Sequence, residues 1–218
     1  APLPAAWRQL VGFAARYYQR SLGEVALAAL PPQLRELNAV QLQRRLKRQG
    51  GGGANAAAPE VAWPEPSPEQ AQVLARLAGA RQPVLLFGST GSGKTEVYLR
   101  AVRRLLEADP LAQALVMVPE INLTPQLEQR FGERFGALGV VAMHSGMTPP
   151  QRLASWLAAH SGAARIVLGT RMAVLASLPH LRLIVVDEEH DPSYKSQEGA
   201  RYSARDLAVY LAKQVNDR

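Results

Sequence analysis

Three groups of residues could do chemistry, and the first is a glycine-rich turn. Gly88-Ser89-Thr90-Gly91-Ser92-Gly93-Lys94-Thr95 fits the phosphate-loop pattern GxxxxGK[ST]. Glycines let the backbone wrap a phosphate, while successive N–H groups point at it from a helix N-terminus. Lys94 is placed to reach β- and γ-phosphates, and the Thr95 hydroxyl to ligate Mg²⁺. The second group ends an apolar run, Leu183 to Val186, in Asp187-Glu188-Glu189-His190. A carboxylate at the tip of a strand beside a phosphate loop can hold the Mg²⁺ that bridges a nucleotide's phosphates. Asp187 has that position, and Glu188 then orients or deprotonates the attacking water. The third group follows at once: Tyr194, Lys195, Arg201, Tyr202 and Arg205 combine aromatic faces for stacking bases with cations for a nucleic-acid backbone.

These residues need a scaffold. Pro83 to Phe87 reads as a buried strand leading into the loop, and Lys94 to Ala108 as the helix leaving it. From residue 67 onward the chain alternates strand and helix. Strands are expected at 83–87, 114–118, 139–143, 165–169 and 182–186. Helices are expected at 68–79, 94–108, 124–135, 149–160 and 203–213, the first with Ser67 as N-cap and Pro68 in its first turn. This is the pattern of an α/β domain with a parallel sheet flanked by helices, whose ligands gather at the carboxyl ends of the strands. Three strand-to-helix loops at that end add candidate contacts: Val118 to Gln126, His144-Ser145-Gly146, and Gly169-Thr170-Arg171. Thr170 and Arg171 offer a hydroxyl and a guanidinium to phosphates of a nucleic-acid strand, although taken alone each loop reads more readily as an ordinary strand-to-helix connection.

Residues 1–49 form a small, mostly helical and basic region, with eight Lys/Arg against Glu24 and Glu36. Helices are expected over Trp7 to Gln19 and Leu34 to Gln49. The cluster Arg44, Arg45, Lys47 and Arg48 suits either a helix C-terminus or nucleic acid. Residues 50–66, rich in Gly, Ala and Pro, read as a linker. The 218-residue chain is 47% hydrophobic with a net charge of +7, which favours a globular domain with a polyanionic partner. It has no cysteine, so a disulfide framework or a Cys-based zinc site is excluded within it. No apolar run reaches the length of a membrane span and no export signal is evident, so a cytoplasmic setting with no membrane partner is expected.

The strings GSTGSGKTEVYL, VMVPEINLTPQ, HSG, IVLGTR, VVDEEHD and SYKSQEGARYSARDLAVY occur in this order over about residues 67–213. Together they resemble the first, RecA-like helicase lobe of the PriA family, the primosomal replication-restart DNA helicases of superfamily 2. RYYQRSLGEVALAALP at 16–31 is similar to the end of that family's N-terminal DNA-binding domain. The resemblance implies an ATP- and Mg²⁺-dependent 3′-to-5′ DNA helicase acting at forks, D-loops and single strands. Its partners would be primosome proteins and the single-stranded-DNA-binding protein. It implies that Gln70 reads adenine and that Gly88, Gly91, Gly93, Lys94 and Thr95 cradle phosphate. It also implies that Asp187 and Glu188 serve metal and water, that His190 couples hydrolysis to movement, and that Tyr194 to Arg205 link DNA to the ATP site. Too few residues precede the phosphate loop for the family's winged helix. The second lobe with its arginine fingers and the zinc-binding insertion lie outside this sequence. A chain of this kind is expected to bind nucleotide weakly and not to unwind DNA. A DNA-binding and partner-recruiting module with an idle ATP site is the alternative.

Overall fold

Apolar runs build the sheet, and their alternation decides what covers it. The computed structural model describes residues 2–50, 62–80, 82–89 and 91–216. Strands β1 (Gln113–Met117), β2 (Val140–Met143), β3 (Ile166–Gly169) and β4 (Leu181–Val186) pair in the order β2-β3-β1-β4, all parallel. Val116 lies beside Leu168 on one flank and Val185 on the other. Parallel strands require crossover helices and cover on both faces. Ala114, Val116, Ile166 and Leu168 face one way, onto Leu99, Val102 and Leu106 of α5 (Lys94–Ala108) and Phe131 and Phe135 of α6 (Pro125–Phe135). Leu115, Met117 and Val167 face the other, onto Leu153, Trp156 and Leu157 of α7 (Pro149–Ser161) and Leu207 and Leu211 of α8 (Ala204–Asn216). The domain is therefore the expected α/β lobe of RecA-like type.

Helix starts follow their capping residues. The Ser67 side chain caps α4 (Pro68–Ala78), accepting from the Gln70 N–H at 3.3 Å, and Gln70 Oε1 accepts the Ser67 N–H at 2.9 Å. Thr124 Oγ1 accepts the Leu127 N–H at the start of α6. Just before α4, the Trp63 ring lies among the guanidiniums of Arg100, Arg103 and Arg134, 4.4–5.7 Å from its centroid. Glu96 holds two of these cations, Arg100 at 3.0 Å and Arg134 at 2.7 Å.

The N-terminal helices belong to the same core. Helix α1 (Ala5–Tyr17) buries Trp7, Leu10, Val11 and Ala14 among the α8-side residues, and Trp7 Nε1 donates to the Leu175 carbonyl at 2.8 Å. Helix α2 (Leu22–Ala29) begins at Ser21, whose Oγ accepts the Glu24 N–H at 3.2 Å. The helix expected from Leu34 begins later, as α3 (Ala39–Gly50), because Asn38 and Gln41 form a reciprocal capping box at 2.9 and 3.1 Å. Leu42 and Leu46 lie half-buried against the core, whereas Arg44, Arg45 and Lys47 are exposed. The Arg48 side chain and the bulk of the expected linker, 51–61, lie outside the described residues.

One expected strand is not formed. Pro83 to Phe87 pairs with no strand, and Val84, Leu85 and Phe87 are 52%, 73% and 94% exposed. β-branched and aromatic residues suit a pleated, half-buried surface, but they acquire strand geometry only beside a ladder partner. In the observed order β4 is an edge strand, and residues 83–87 do not pair with it.

Candidate nucleotide-binding site

The phosphate loop runs from the unpaired 83–87 segment straight into α5. Gly91 and Gly93 have φ of 80° and 82°. An L-residue there carries about 1–2 kcal/mol of strain, and a Cβ on Gly93 would collide with the Gln70 amide. A Cβ on Gly88 would lie 2.6 Å from Ser92 Oγ. The Ser92 N–H donates to the Ser89 carbonyl at 3.2 Å, tightening the turn. Lys94 Nζ folds back across the loop and donates to the carbonyls of Gly88 at 2.7 Å and Ser89 at 2.8 Å. Gln70 Nε2 donates to the Gly93 carbonyl at 3.3 Å, so α4 props the loop from outside. Thr90 lies outside the described residues. An ammonium held by two carbonyls, inside a turn that closes on a helix N-terminus, fits a phosphate anion.

The acidic end of β4 is built differently. The Asp187 N–H continues the ladder to the Met117 carbonyl at 2.9 Å. Its Oδ1 accepts the Glu188 N–H at 3.1 Å, and its Oδ2 accepts the Tyr98 hydroxyl at 3.2 Å. The Tyr194 hydroxyl donates to the Asp187 carbonyl at 2.7 Å. Burial raises the Asp187 carboxyl above the usual carboxylate range, against the Tyr98 and Glu188 hydrogen bonds that lower it. The Lys94 charge also lowers it, which marks the loop and the strand end as electrostatic neighbours. Glu188 is exposed and has φ of 46°, an uncommon conformation for a non-glycine residue, and its carbonyl accepts the Asp191 N–H at 2.9 Å. His190 is exposed beside it.

Among the described residues no cluster of three His, Asp or Glu could hold a metal by itself. At this end of the sheet Thr95 could offer a cation one hydroxyl and Asp187 one carboxylate. That suits Mg²⁺, which keeps several waters and takes its remaining oxygens from a substrate's phosphates.

The residues expected to touch DNA are placed unevenly. Thr170 is buried at the end of β3 with its Oγ1 unpartnered. Arg171 pairs with Glu120 at 3.7 Å and donates to the Ser193 carbonyl at 3.4 Å. Glu120 also accepts the Ser145 hydroxyl at 3.4 Å, so one carboxylate joins all three candidate loops. Tyr194, expected to offer a face to a base, is instead buried. Its ring packs in the core because its hydroxyl reaches the Asp187 carbonyl. Tyr202 is half-buried, and burial pushes its phenol up to about 12. The Lys195 ammonium sits over the Tyr18 ring, 5.3 Å from its centroid. Arg201 is exposed, with φ of 47°. Arg205 pairs with Glu189 at 3.0 Å and Asp206 at 2.9 Å.

Sequence reasoning offered the loop that holds Glu120 but missed Tyr98 and Tyr18, whose hydroxyl accepts the Ser203 N–H at 2.9 Å. The spacing of Tyr98, three residues after Thr95 on a helix, was an available signal that both share a face.

The lobe and its phosphate-loop site define a helicase domain. Residues 67–215 match the DEAD/DEAH box helicase family, and the chain belongs to that family. Among similar proteins, the replication restart protein PriA of Haemophilus influenzae is 50% identical over 132 residues, covering 61% of this chain and 18% of that protein. The replication restart protein PriA of Bacillus subtilis is 43% identical over 129 residues, covering 59% and 16%. The replication restart protein PriA of Rickettsia prowazekii is 33% identical over 205 residues, covering 94% of this chain and 30% of that protein. The chain is thus similar to the helicase lobe of these proteins and spans less than a third of their length. No helix among the described residues is long and apolar enough to cross a membrane.

Proposed function

We propose that this chain is the ATP-binding lobe of a 3′-to-5′ DNA helicase that acts in replication restart. The observation that carries this is a phosphate loop leading into α5, whose Tyr98 hydroxyl reaches the Asp187 carboxylate at the end of β4. On nucleotide binding, Lys94 leaves the carbonyls of Gly88 and Ser89 for the β- and γ-phosphates. Loop N–H groups then hold the phosphate oxygens, and Gln70 reads the adenine. Thr95 and Asp187 would hold Mg²⁺, which would neutralise charge developing on the phosphates. Glu188 orients water and takes its proton.

The DNA side is the surface carrying Arg171, Lys195, Arg201 and Arg205, and His190, which follows the acids in the chain, couples the two. Tyr194 transmits its position, since one residue touches both the loop and the Asp187 backbone. Forks, D-loops and single strands are the DNA substrates. Primosome proteins and the single-stranded-DNA-binding protein are the partners, in the cytoplasm.

The alternative, a recruiting module with an idle ATP site, is favoured by one observation: the segment entering the phosphate loop is unpaired and exposed. The test is ATP binding by titration calorimetry with the parent and Lys94→Ala, followed by ATP turnover of the full-length protein with and without forked DNA. Loss of a charge-assisted contact should weaken binding by roughly 10- to 100-fold, and forked DNA should stimulate turnover. Equal binding by Lys94→Ala removes the site assignment. Binding with no turnover on any DNA leaves the module reading in its place.

A further inference from the structure

Tyr98 lies one turn into α5, three residues after Thr95, so the two side chains share a helix face. Its ring is buried with Leu99 and Val102 in the core between α5 and the sheet. That packing fixes where its hydroxyl stands. The hydroxyl donates to Asp187 Oδ2 at 3.2 Å. The other Asp187 oxygen is taken by the Glu188 N–H. Both carboxylate oxygens therefore have fixed partners, and one of these partners also joins the helix that carries Thr95.

Ordering a free carboxylate or hydroxyl costs rotamer entropy, and groups already held avoid that cost. Mg²⁺ tolerates little departure from octahedral geometry, so preset ligands matter more for it than for a larger, more accommodating cation. Partners that orient metal ligands from behind typically contribute 10- to 100-fold in metal affinity.

We propose that Tyr98 is a positioning residue for the cation of this site. From the helix that also carries Thr95, its hydroxyl holds the Asp187 carboxylate in place, so that the cation meets a preset oxygen. The inference rests on the proposed function. No proton is transferred through Tyr98. A phenol is protonated at neutral pH, so the Tyr98 hydroxyl acts as a hydrogen-bond donor to Asp187.

The test is Tyr98→Phe, which keeps the ring and removes the hydroxyl, made in the full-length protein. ATP affinity is measured in EDTA and across a Mg²⁺ titration, and Mn²⁺ bound with ATP is followed by electron paramagnetic resonance. The variant should need roughly 10-fold or more Mg²⁺ for half-saturation, with ATP affinity in EDTA unchanged and a loosened Mn²⁺ spectrum. Lys94→Ala should lose affinity in both conditions. In an Asp187→Asn background, Tyr98→Phe should add almost nothing, because the two act through one ligand.

A parent-like Mg²⁺ requirement in Tyr98→Phe overturns the role of Tyr98 while leaving the site intact. Equal loss with and without Mg²⁺ overturns it in favour of simple packing. A parent whose ATP binding ignores both Mg²⁺ and Lys94 overturns the proposed function, and this inference with it.

Discussion

The two halves of the candidate site are held in opposite ways. Asp187 stands at the end of a hydrogen-bonded strand and is fixed by Met117, Tyr98 and Tyr194. The phosphate loop hangs from an unpaired segment with Phe87 almost fully exposed, and is steadied by Lys94 on its own carbonyls and by Gln70 from α4. The acidic half is preset by the core. The phosphate half holds its shape through contacts that a nucleotide would replace. Local stability is set by buried contacts and ladder partners, and the two halves lie at opposite ends of that range.

The largest expected effect tests the contrast in packing. Leu115→Ala, in the fully buried centre of β1, should destabilise the lobe by roughly 2–5 kcal/mol. Phe87→Ser should change stability by no more than about 0.5 kcal/mol, as for an exposed side chain. Chemical denaturation of both variants decides it. A large loss for Phe87→Ser would mean that 83–87 packs as a strand after all.

Next comes the alkaline limb of stability. Tyr202 is pushed from an ordinary 10.0 up to about 12, and Tyr98 and Tyr194 are also raised, each chiefly by burial. Their phenols lose protons first in the unfolded chain. The stability they contribute is thus complete below pH 10 and is lost as pH rises toward the folded values, by about 1.4 kcal/mol per pH unit for each tyrosine. Tm measured from pH 8 to 12 should fall steeply above 10, and less steeply in Tyr202→Phe. A flat profile would place these phenols in water.

The next effect concerns Tyr194, whose hydroxyl ties the loop after β4 to the Asp187 carbonyl. Tyr194→Phe should cost about 1 kcal/mol and should weaken the stimulation of ATP turnover by DNA more than basal turnover. Equal effects on both rates would make Tyr194 a packing residue only.

Much of this was legible in the sequence because it is local. Capping residues such as Ser67 with Gln70 announce helix starts, and the phosphate loop and Asp187 stand out as a candidate site by their local pattern alone. What was illegible is tertiary. The run Val84 to Phe87 shows a capacity for strand, but pairing depends on a neighbour that no periodicity reveals. Helix α2, LGEVALAA, is apolar on nearly all sides and so carries no helical period. Tyr194 has the composition of a stacking residue, yet the direction of its ring is set by a hydroxyl contact to Asp187. Tyr98 reaches a carboxylate 89 positions away, a contact that only the sheet and α5 together create.

Hydrogen–deuterium exchange of backbone amides tests the contrast most directly, comparing 84–89 with 183–187, with and without Mg²⁺ and ATP. Without nucleotide, 84–89 should exchange rapidly while 183–187 is protected, and Mg²⁺ with ATP should slow 84–89 selectively. Equal protection of both segments in the free chain, or no change at 84–89 on adding Mg²⁺ and ATP, would contradict the account.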